Sequence, residues 1–165
     1  MTTLIYTHDA CLEHQPGPHH PESPERLRAV LAALRTPEFA GAQWREAPLG
    51  TREQVLLVHT PDYVETVEAL APTDDGYQLL DAGDTVMSAG SLEAVMRCVG
   101  AACAAVDAVV NGQARNAFCA TRPCGHHALR ADGASGPPGG ESLGPAAEPV
   151  DRKPARSTFL LAGRR

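Results

Sequence analysis

Apolar residues in the first 120 positions recur with the spacings of short strands and amphipathic helices. The run Leu4-Ile5-Tyr6 predicts a buried strand, and a polar segment rich in His and Pro follows it up to Ser23. Ser23 can cap a helix that has Pro24 at its first position. The face of this helix that we expect to be buried carries Leu27, Val30, Leu31 and Leu34.

Two shorter helices are predicted next. Thr51 and Gln54 have the spacing of a capping box ahead of the apolar run Val55-Leu56-Leu57-Val58. Thr60-Pro61 opens another helix, which Pro72 ends. Its apolar positions in helical register are Val64, Val67 and Ala71.

The longest predicted helix runs from about residue 91 to residue 111, with Gly112 as its C-terminal cap. Its expected buried stripe consists of Val95, Val99, Ala102, Val106 and Val109. Residues 116–120 then predict a strand that leads directly into Arg122-Pro123-Cys124-Gly125-His126-His127.

A strand, a long helix and a second strand indicate an α/β fold with a parallel sheet covered by helices. In such sheets ligands bind beyond the carboxyl ends of the strands. The two histidines, His126 and His127, lie at a place of that kind.

Charge and composition change along the chain. Residues 1–128 hold 8 Lys and Arg against 16 Asp and Glu, whereas residues 129–165 hold 6 against 4 and are rich in Gly and Pro. So few large apolar groups remain in the second part that we expect it to be mostly disordered. The overall net charge of −6 argues against a nucleic-acid partner and favours cationic ligands such as lysine-rich peptides or polyamines.

The sequence lacks the features typical of membrane proteins and of secreted proteins. No apolar run reaches the length of a membrane span, and the N-terminus does not have the pattern of a signal peptide, so we expect a cytoplasmic protein without membrane contact. The five cysteines are irregularly spaced, which favours reduced thiols that pack as small apolar residues.

The adjacent histidines suit proton transfer. Pro123 and Gly125 can fix a turn that presents both rings to one cavity, and two imidazoles with ordinary pKa values near 6.5 can divide the work of accepting and holding a proton. The alternative is a loop with two solvated histidines. The residues around the pair decide between these interpretations.

The segment Arg122-Pro123-Cys124-Gly125-His126-His127-Ala128 resembles the Arg-Pro-Pro-Gly-His-His-Ala segment of histone deacetylases and acetylpolyamine amidohydrolases, with Cys124 in place of the second Pro. The resemblance includes His20-Pro21-Glu22-Ser23-Pro24-Glu25-Arg26-Leu27 and His59-Thr60-Pro61-Asp62-Tyr63-Val64. It also includes the stretch from Leu80-Asp81-Ala82-Gly83-Asp84-Thr85 to Ser91-Leu92-Glu93-Ala94. It covers roughly residues 3–133.

This resemblance implies an arginase/deacetylase-like α/β fold, a parallel sheet flanked by helices, and zinc-dependent hydrolysis of an acetylated lysine peptide or an acetylpolyamine. It implies that His127 is the general base and later the acid, and that His126 is its electrostatic partner. It further places Asp84, His20 and Gly125 among the substrate-binding residues, although Asp84 can equally be a capping or turn residue. The oligomeric state is left open.

The sequence departs from the family's pattern at the zinc-binding residues. The family binds zinc through an Asp-x-His pair and a second Asp downstream of the histidine segment, whereas all seven histidines of this chain lie at or before position 127. We therefore expect no metal ligands and no zinc bound by this chain. Two other donor sets, neither with the spacing of a known zinc module, are Cys11 with His14, His19 and His20, and Cys119 with Cys124 and His126.

The composition of the C-terminal residues indicates where this chain begins to differ from the family. We expect residues 1–133 to form the N-terminal part of a deacetylase-like domain, and residues 134–165 to be a divergent Gly/Pro/Ala/Arg-rich tail of the kind that a frameshift near residues 133–136 produces in a GC-rich gene. An Asp-x-His in another reading frame of the downstream DNA would support the frameshift. The sequence thus leaves two hypotheses, a deacetylase-type enzyme and an inactive remnant or binding module.

Overall fold

A computed structural model of the protein describes residues 2–80 and 85–125. The elements in chain order are β1 (Thr3–Thr7), a 3-10 helix (Asp9–Leu12), α1 (Pro24–Leu34), a 3-10 helix (Pro37–Phe39), β2 (Ala42–Glu46), α2 (Arg52–Leu56), α3 (Pro61–Leu70), β3 (Gln78–Leu79), β4 (Val86–Met87), α4 (Ser91–Val110) and β5 (Asn116–Cys119).

The main sheet has three parallel strands in the order β2-β1-β5. Ile5 of β1 lies opposite Trp44 of β2 and Phe118 of β5. The carboxyl ends of the three strands therefore meet at one edge of the sheet. The short strands β3 and β4 form a separate antiparallel pair.

Helices cover both faces of this sheet, and the alternation of side chains along β1 assigns the two layers. Leu4 and Tyr6 belong to a buried cluster with the small residues of α4, while Ile5 belongs to a second cluster with Leu27 and Leu31 of α1. The expected parallel sheet flanked by helices is confirmed.

Helix α4 packs closely because its buried residues are small. The buried set is Ser91, Ala94, Gly100, Ala101, Ala105, Ala108 and Val109. A Cβ added at Gly100 would lie 2.0 Å from the carbonyl oxygen of Pro48. The predicted stripe is confirmed at Val109, which is buried, and was wrong at Val95, Ala102 and Val106, which are exposed. The small residues take the buried face because they allow the helix to approach the backbone beside it.

The predicted ends of the helices are largely confirmed. Thr51 and Gln54 form the expected capping box at the start of α2, and Gly112 follows α4 with a φ of 73°. Ser23 stands at the N-cap of α1 without a side-chain capping bond, and Val30, expected on the buried face, is exposed. Strand β2 was missed, because its pattern of Ala, Gln, Trp, Arg and Glu has little apolar content.

Two properties of the described residues bear on the protein's surroundings. Within residues 2–80 and 85–125, none of the helices has the length and apolarity needed to cross a membrane. All five cysteines are free thiols, and among them Cys11 is buried and Cys124 is exposed.

Candidate active site

The segment that leads to the histidine pair leaves the carboxyl end of β5, an outer strand of the main sheet. After β5 the Ala120 N–H still donates to the carbonyl oxygen of Tyr6 at 2.8 Å, and the chain then turns away through Arg122 and Pro123. The peptide bond between these two residues is cis. Gly125, the last residue described, is exposed.

Arg122 holds this turn in place. Its side chain is 3% exposed. Nε donates to Glu22 Oε1 at 3.1 Å and Nη2 donates to Glu22 Oε2 at 2.6 Å, so the guanidinium and the carboxylate meet in a bidentate pair. Nη1 donates to the carbonyl oxygens of Cys11 (3.0 Å) and His14 (2.7 Å). One side chain thus joins the turn after β5 to the polar loop more than 100 residues earlier.

His14 packs beside this ion pair as a neutral imidazole. Burial, and then the nearby Arg122 guanidinium, lower the pKa of His14 to about 4, although the Glu22 carboxylate acts in the opposite direction. Its Nε2 lies 3.5 Å from Glu22 Oε2, and its Nδ1 lies 2.6 Å from Ser91 Oγ. Since Ser91 can donate to Nδ1, Nε2 carries the proton and faces the carboxylate.

Ser88 and Ser91 connect the polar loop to the start of α4. The Ser88 N–H donates to Ser91 Oγ at 2.8 Å, and the Gln15 N–H donates to Ser88 Oγ at 2.9 Å. Both serines are buried. The loop, the start of α4 and the turn after β5 therefore form one hydrogen-bonded unit, which we call the Arg122 anchor (His14, Glu22, Ser88, Ser91 and Arg122).

A cavity of about 490 Å³ lies beside this unit. Its charged lining residues are Glu13, Asp75 and Glu93, joined by Tyr77, and no Lys or Arg of the described residues lines it. Glu93 is paired with Arg97, which lies outside the lining, at 3.2 Å. The carboxylates of Glu13 and Asp75 favour a cationic ligand.

The structure describes some of the predicted site residues and not others. Asp84, His126 and His127 lie outside the described residues. His20 is partly buried, and its Nδ1 accepts a hydrogen bond from the Glu22 N–H at 3.1 Å. The roles assigned to His20 and Gly125 in substrate binding stay predictions. His14, in the same polar loop as His20, is buried.

The described residues do not fit a zinc ion. Nowhere in residues 2–80 and 85–125 do three His, Cys, Asp or Glu side chains come together as a metal ion requires. Cys11, His14, His19 and His20 are all described, so that donor set is not assembled; the alternative set with Cys119 and Cys124 includes His126, which is not described.

Sequence reasoning assigned no role to Arg122 or Glu22, and it named His14 only as a member of a possible zinc donor set. Each stands in or near a quoted motif, but their partners are 100 or more residues apart for Arg122 and 77 apart for His14 and Ser91. No local period or spacing reports such contacts. An arginine next to a proline at a strand end was the one available signal.

Comparison with known proteins identifies the class. A family model of the histone deacetylase domain matches residues 20–136. The crystal structure of the HDA15 HD domain superposes with a TM-score of 0.70 at 27% identity, covering 77% of this chain and 37% of that chain. The chain belongs to the histone deacetylase family, as the resemblance of its motifs predicted.

Two relatives are similar over most of this chain. The histone deacetylase-like amidohydrolase of Pseudomonas aeruginosa is 34% identical in an alignment of 145 positions that covers 77% of this chain and 37% of that protein. A probable deacetylase of Archaeoglobus fulgidus is 34% identical over 131 residues, which is 78% of this chain and 35% of that protein. This chain thus spans little more than a third of the length of either relative.

Proposed function

We propose that this chain carries the acid/base residues of a histone deacetylase-type active site. The reaction proposed for this site is hydrolysis of the acetyl amide of an acetylated lysine or an acetylpolyamine. The observation that carries the proposal is the Arg122 anchor. A buried arginine with four short bonds fixes the turn that immediately precedes His126 and His127, at the edge of the sheet where ligands of parallel α/β folds bind. Family membership supports the reaction class.

In this proposal His127 takes a proton from the water that attacks the acetyl carbonyl carbon, and then returns it to the leaving amine. The C–N bond breaks, and acetate and a free amine are released. His126 stabilises the charged form of its neighbour. Asp84 holds the substrate backbone, and His20 and Gly125 contact the substrate near the entrance.

The acidic cavity supports a cationic substrate. Both proposed substrates carry amines that are protonated at neutral pH, and Glu13 and Asp75 supply the opposite charge. The net charge of −6 acts in the same direction over longer distances. The cytoplasmic location and the domain boundary at residue 133 stay predictions from the sequence.

The second candidate function is a binding module that recognises an acetylated ligand without hydrolysing it. It is favoured by the metal chemistry: the described residues assemble no zinc site, and no histidine follows His127. This second function predicts that the purified chain binds no stoichiometric zinc. Equilibrium dialysis followed by metal analysis tests this, and one zinc per chain would contradict it.

Acetate release and ligand binding, measured in parallel, separate the two functions. The full chain is mixed with an acetyl-lysine peptide or with an acetylpolyamine, with added zinc or with a chelator, and calorimetry reports binding of the same ligands. Acetate release supports the enzyme. Binding without acetate supports the module, and the absence of both overturns the two proposals together.

A further inference from the structure

The two outer strands of the main sheet, β2 and β5, present different edges. In β2 the charged residues Arg45 and Glu46 are exposed, which discourages pairing with a further strand. Strand β5 contains no charged residue, and its Phe118 and Cys119 are only partly buried, one on each face of the sheet. The edge of β5 that faces away from β1 is therefore suited to receive another strand.

A polar atom of β5 also lacks a partner. Asn116 Oδ1, at the first position of the strand, is buried and accepts no hydrogen bond from any of the described residues. An acceptor that is buried in this way costs free energy unless a donor reaches it. A further strand that begins beside Asn116 with a hydroxyl-bearing residue would supply the donor.

The chain beyond residue 125 contains one segment with the composition that such a strand needs. Residues 157–162 read Ser-Thr-Phe-Leu-Leu-Ala, and Phe159-Leu160-Leu161 is the only run of three large apolar residues after Gly125. A neighbour of β5 lies beside an apolar side chain on each face of the sheet. It therefore requires a continuous apolar run, like Leu4-Ile5-Tyr6 of β1.

We propose that residues 157–162 form a strand that pairs with the outer edge of β5, parallel to it. In this direction Ser157 and Thr158 lie at the start of β5, where Asn116 Oδ1 needs a donor. Residues 126–156 make the return connection, and they exceed the length of about a dozen residues that a crossover between parallel strands requires. The pairing is independent of the amide hydrolysis proposed above.

Charge favours docking of the segment within its own chain. Residues 152–165 contain five Lys and Arg and no Asp or Glu, whereas residues 1–128 hold 16 acidic against 8 basic residues. Opposite net charges attract the end of the chain to the rest of the molecule. A segment on the same chain is also held at a high effective concentration, which the segment of a second copy in dilute solution does not reach.

Hydrogen exchange of the β5 amides, followed by mass spectrometry on the full chain, tests the pairing. Leu160→Asp places a charge in the proposed strand and should raise the exchange rate of β5 by at least about 10-fold, because exchange follows the local opening of hydrogen bonds. The exchange rate of β1 should stay as in wild type. Leu143→Asp is the matched control, since Leu143 is a leucine after Gly125 that lies outside the segment. It should leave both strands unchanged.

Two outcomes of the exchange experiment would overturn the proposal. The first is an equal β5 exchange rate in wild type and in Leu160→Asp. The second is a rise in Leu160→Asp that is as large in β1 as in β5, because the substitution would then act on the whole sheet and not on its outer edge.

Thiol cross-linking identifies the occupant of the edge. Cys119 is partly buried on the face of β5 that packs against α4, and neighbouring strands lie about 5 Å apart. A short bifunctional thiol reagent can therefore join Cys119 to a cysteine placed in the new strand. Successive side chains of a strand face opposite sides, so only one of the variants Leu160→Cys and Leu161→Cys should form this link. Leu143→Cys should form none.

The mass of the linked product separates one chain from two. We expect a product with the mass of a single chain, and a digest that contains Cys119 joined to the introduced cysteine. A product with the mass of two chains would assign the edge to a second copy and overturn the proposal. Links of equal yield at positions 160 and 161 would also overturn it, because a paired strand presents only one of them to Cys119.

Discussion

At the scale of single residues, the molecule depends on a buried arginine whose donors all have acceptors. Arg122 bonds the Glu22 carboxylate and three backbone carbonyls, those of Cys11, His14 and Glu22, so its charge is matched where water cannot reach it. Removing one partner of such a buried pair lowers the free energy of unfolding strongly, because the other partner then stays buried with its charge unmatched.

Replacing Arg122 with Met should therefore lower the free energy of unfolding by about 3–5 kcal/mol. Arg28→Met is the control, because Arg28 pairs with Glu25 on the exposed face of α1 and such a pair contributes at most about 1 kcal/mol. Urea unfolding of both variants measures the difference. Equal losses in the two variants would show that the Arg122 pair is no stronger than a surface pair.

His14 should make the stability depend on pH. Its folded-state pKa of about 4 lies below the usual 6.5, so the unfolded chain binds more protons between these values and the free energy of unfolding falls as the pH drops from 6.5 towards 4. The full loss is on the order of 3 kcal/mol. The stabilisation is complete above pH 6.5.

His14→Asn removes this titration while keeping a polar atom near Ser91, and should flatten the stability profile between pH 6.5 and 4. His19→Asn, at an exposed position of the same loop, is the control and should keep the wild-type slope. Urea midpoints measured across this pH range report both. A slope that persists unchanged in His14→Asn would mean that other groups cause the acid sensitivity.

At the scale of the elements, α4 decides how tightly the layers pack. Its small residues let it approach the loop at Pro48 and Gly50, where the Gly50 N–H donates to the carbonyl oxygen of Met96 at 2.8 Å. A backbone contact of this kind leaves no flexible side chain that could move to accept added volume.

Gly100→Ala should consequently destabilise the fold by about 1–3 kcal/mol, although alanine favours a helix more than glycine does. Gly41→Ala is the control, because nothing lies within 4 Å of the position its Cβ would take. Thermal unfolding of the two variants checks this. A Gly100→Ala protein as stable as wild type would mean that the helix and the loop are farther apart than described.

The helices and strands also show which parts of the fold could be predicted from the sequence. Strands β1 and β5, the capping box at Thr51 and the glycine after α4 have local signals, and they were predicted. Strand β2 and the buried face of α4 depend on what packs against them. The valines of α4 looked more suitable for burial than its alanines, and only the close approach at Gly100 shows why the alanines face the sheet.

The same distinction applies to the candidate site. The histidine pair follows a predicted strand and stands in a specific motif, so its position at the sheet edge could be proposed from the sequence. The Arg122 anchor joins residues from both ends of the described chain, and contacts at such separations leave no periodic trace.

At the scale of the whole molecule, the described residues form a three-stranded parallel sheet between two helical layers, with β2 and β5 as its outer strands. The superposed HDA15 HD domain shares this architecture over 77% of the chain, while 37% of that domain is covered. The family is thus established by this part of the fold, and the chemistry of the chain is a separate question.

Acetate released from an acetyl-lysine peptide, compared between wild type and His127→Ala, tests the proposed acid/base role most directly. His59→Ala, two positions before α3, serves as the matched histidine control. We predict acetate release by wild type and by His59→Ala, and a loss of at least about 100-fold in His127→Ala, as expected for removal of a general base. Acetate release that is unchanged in His127→Ala would contradict the account.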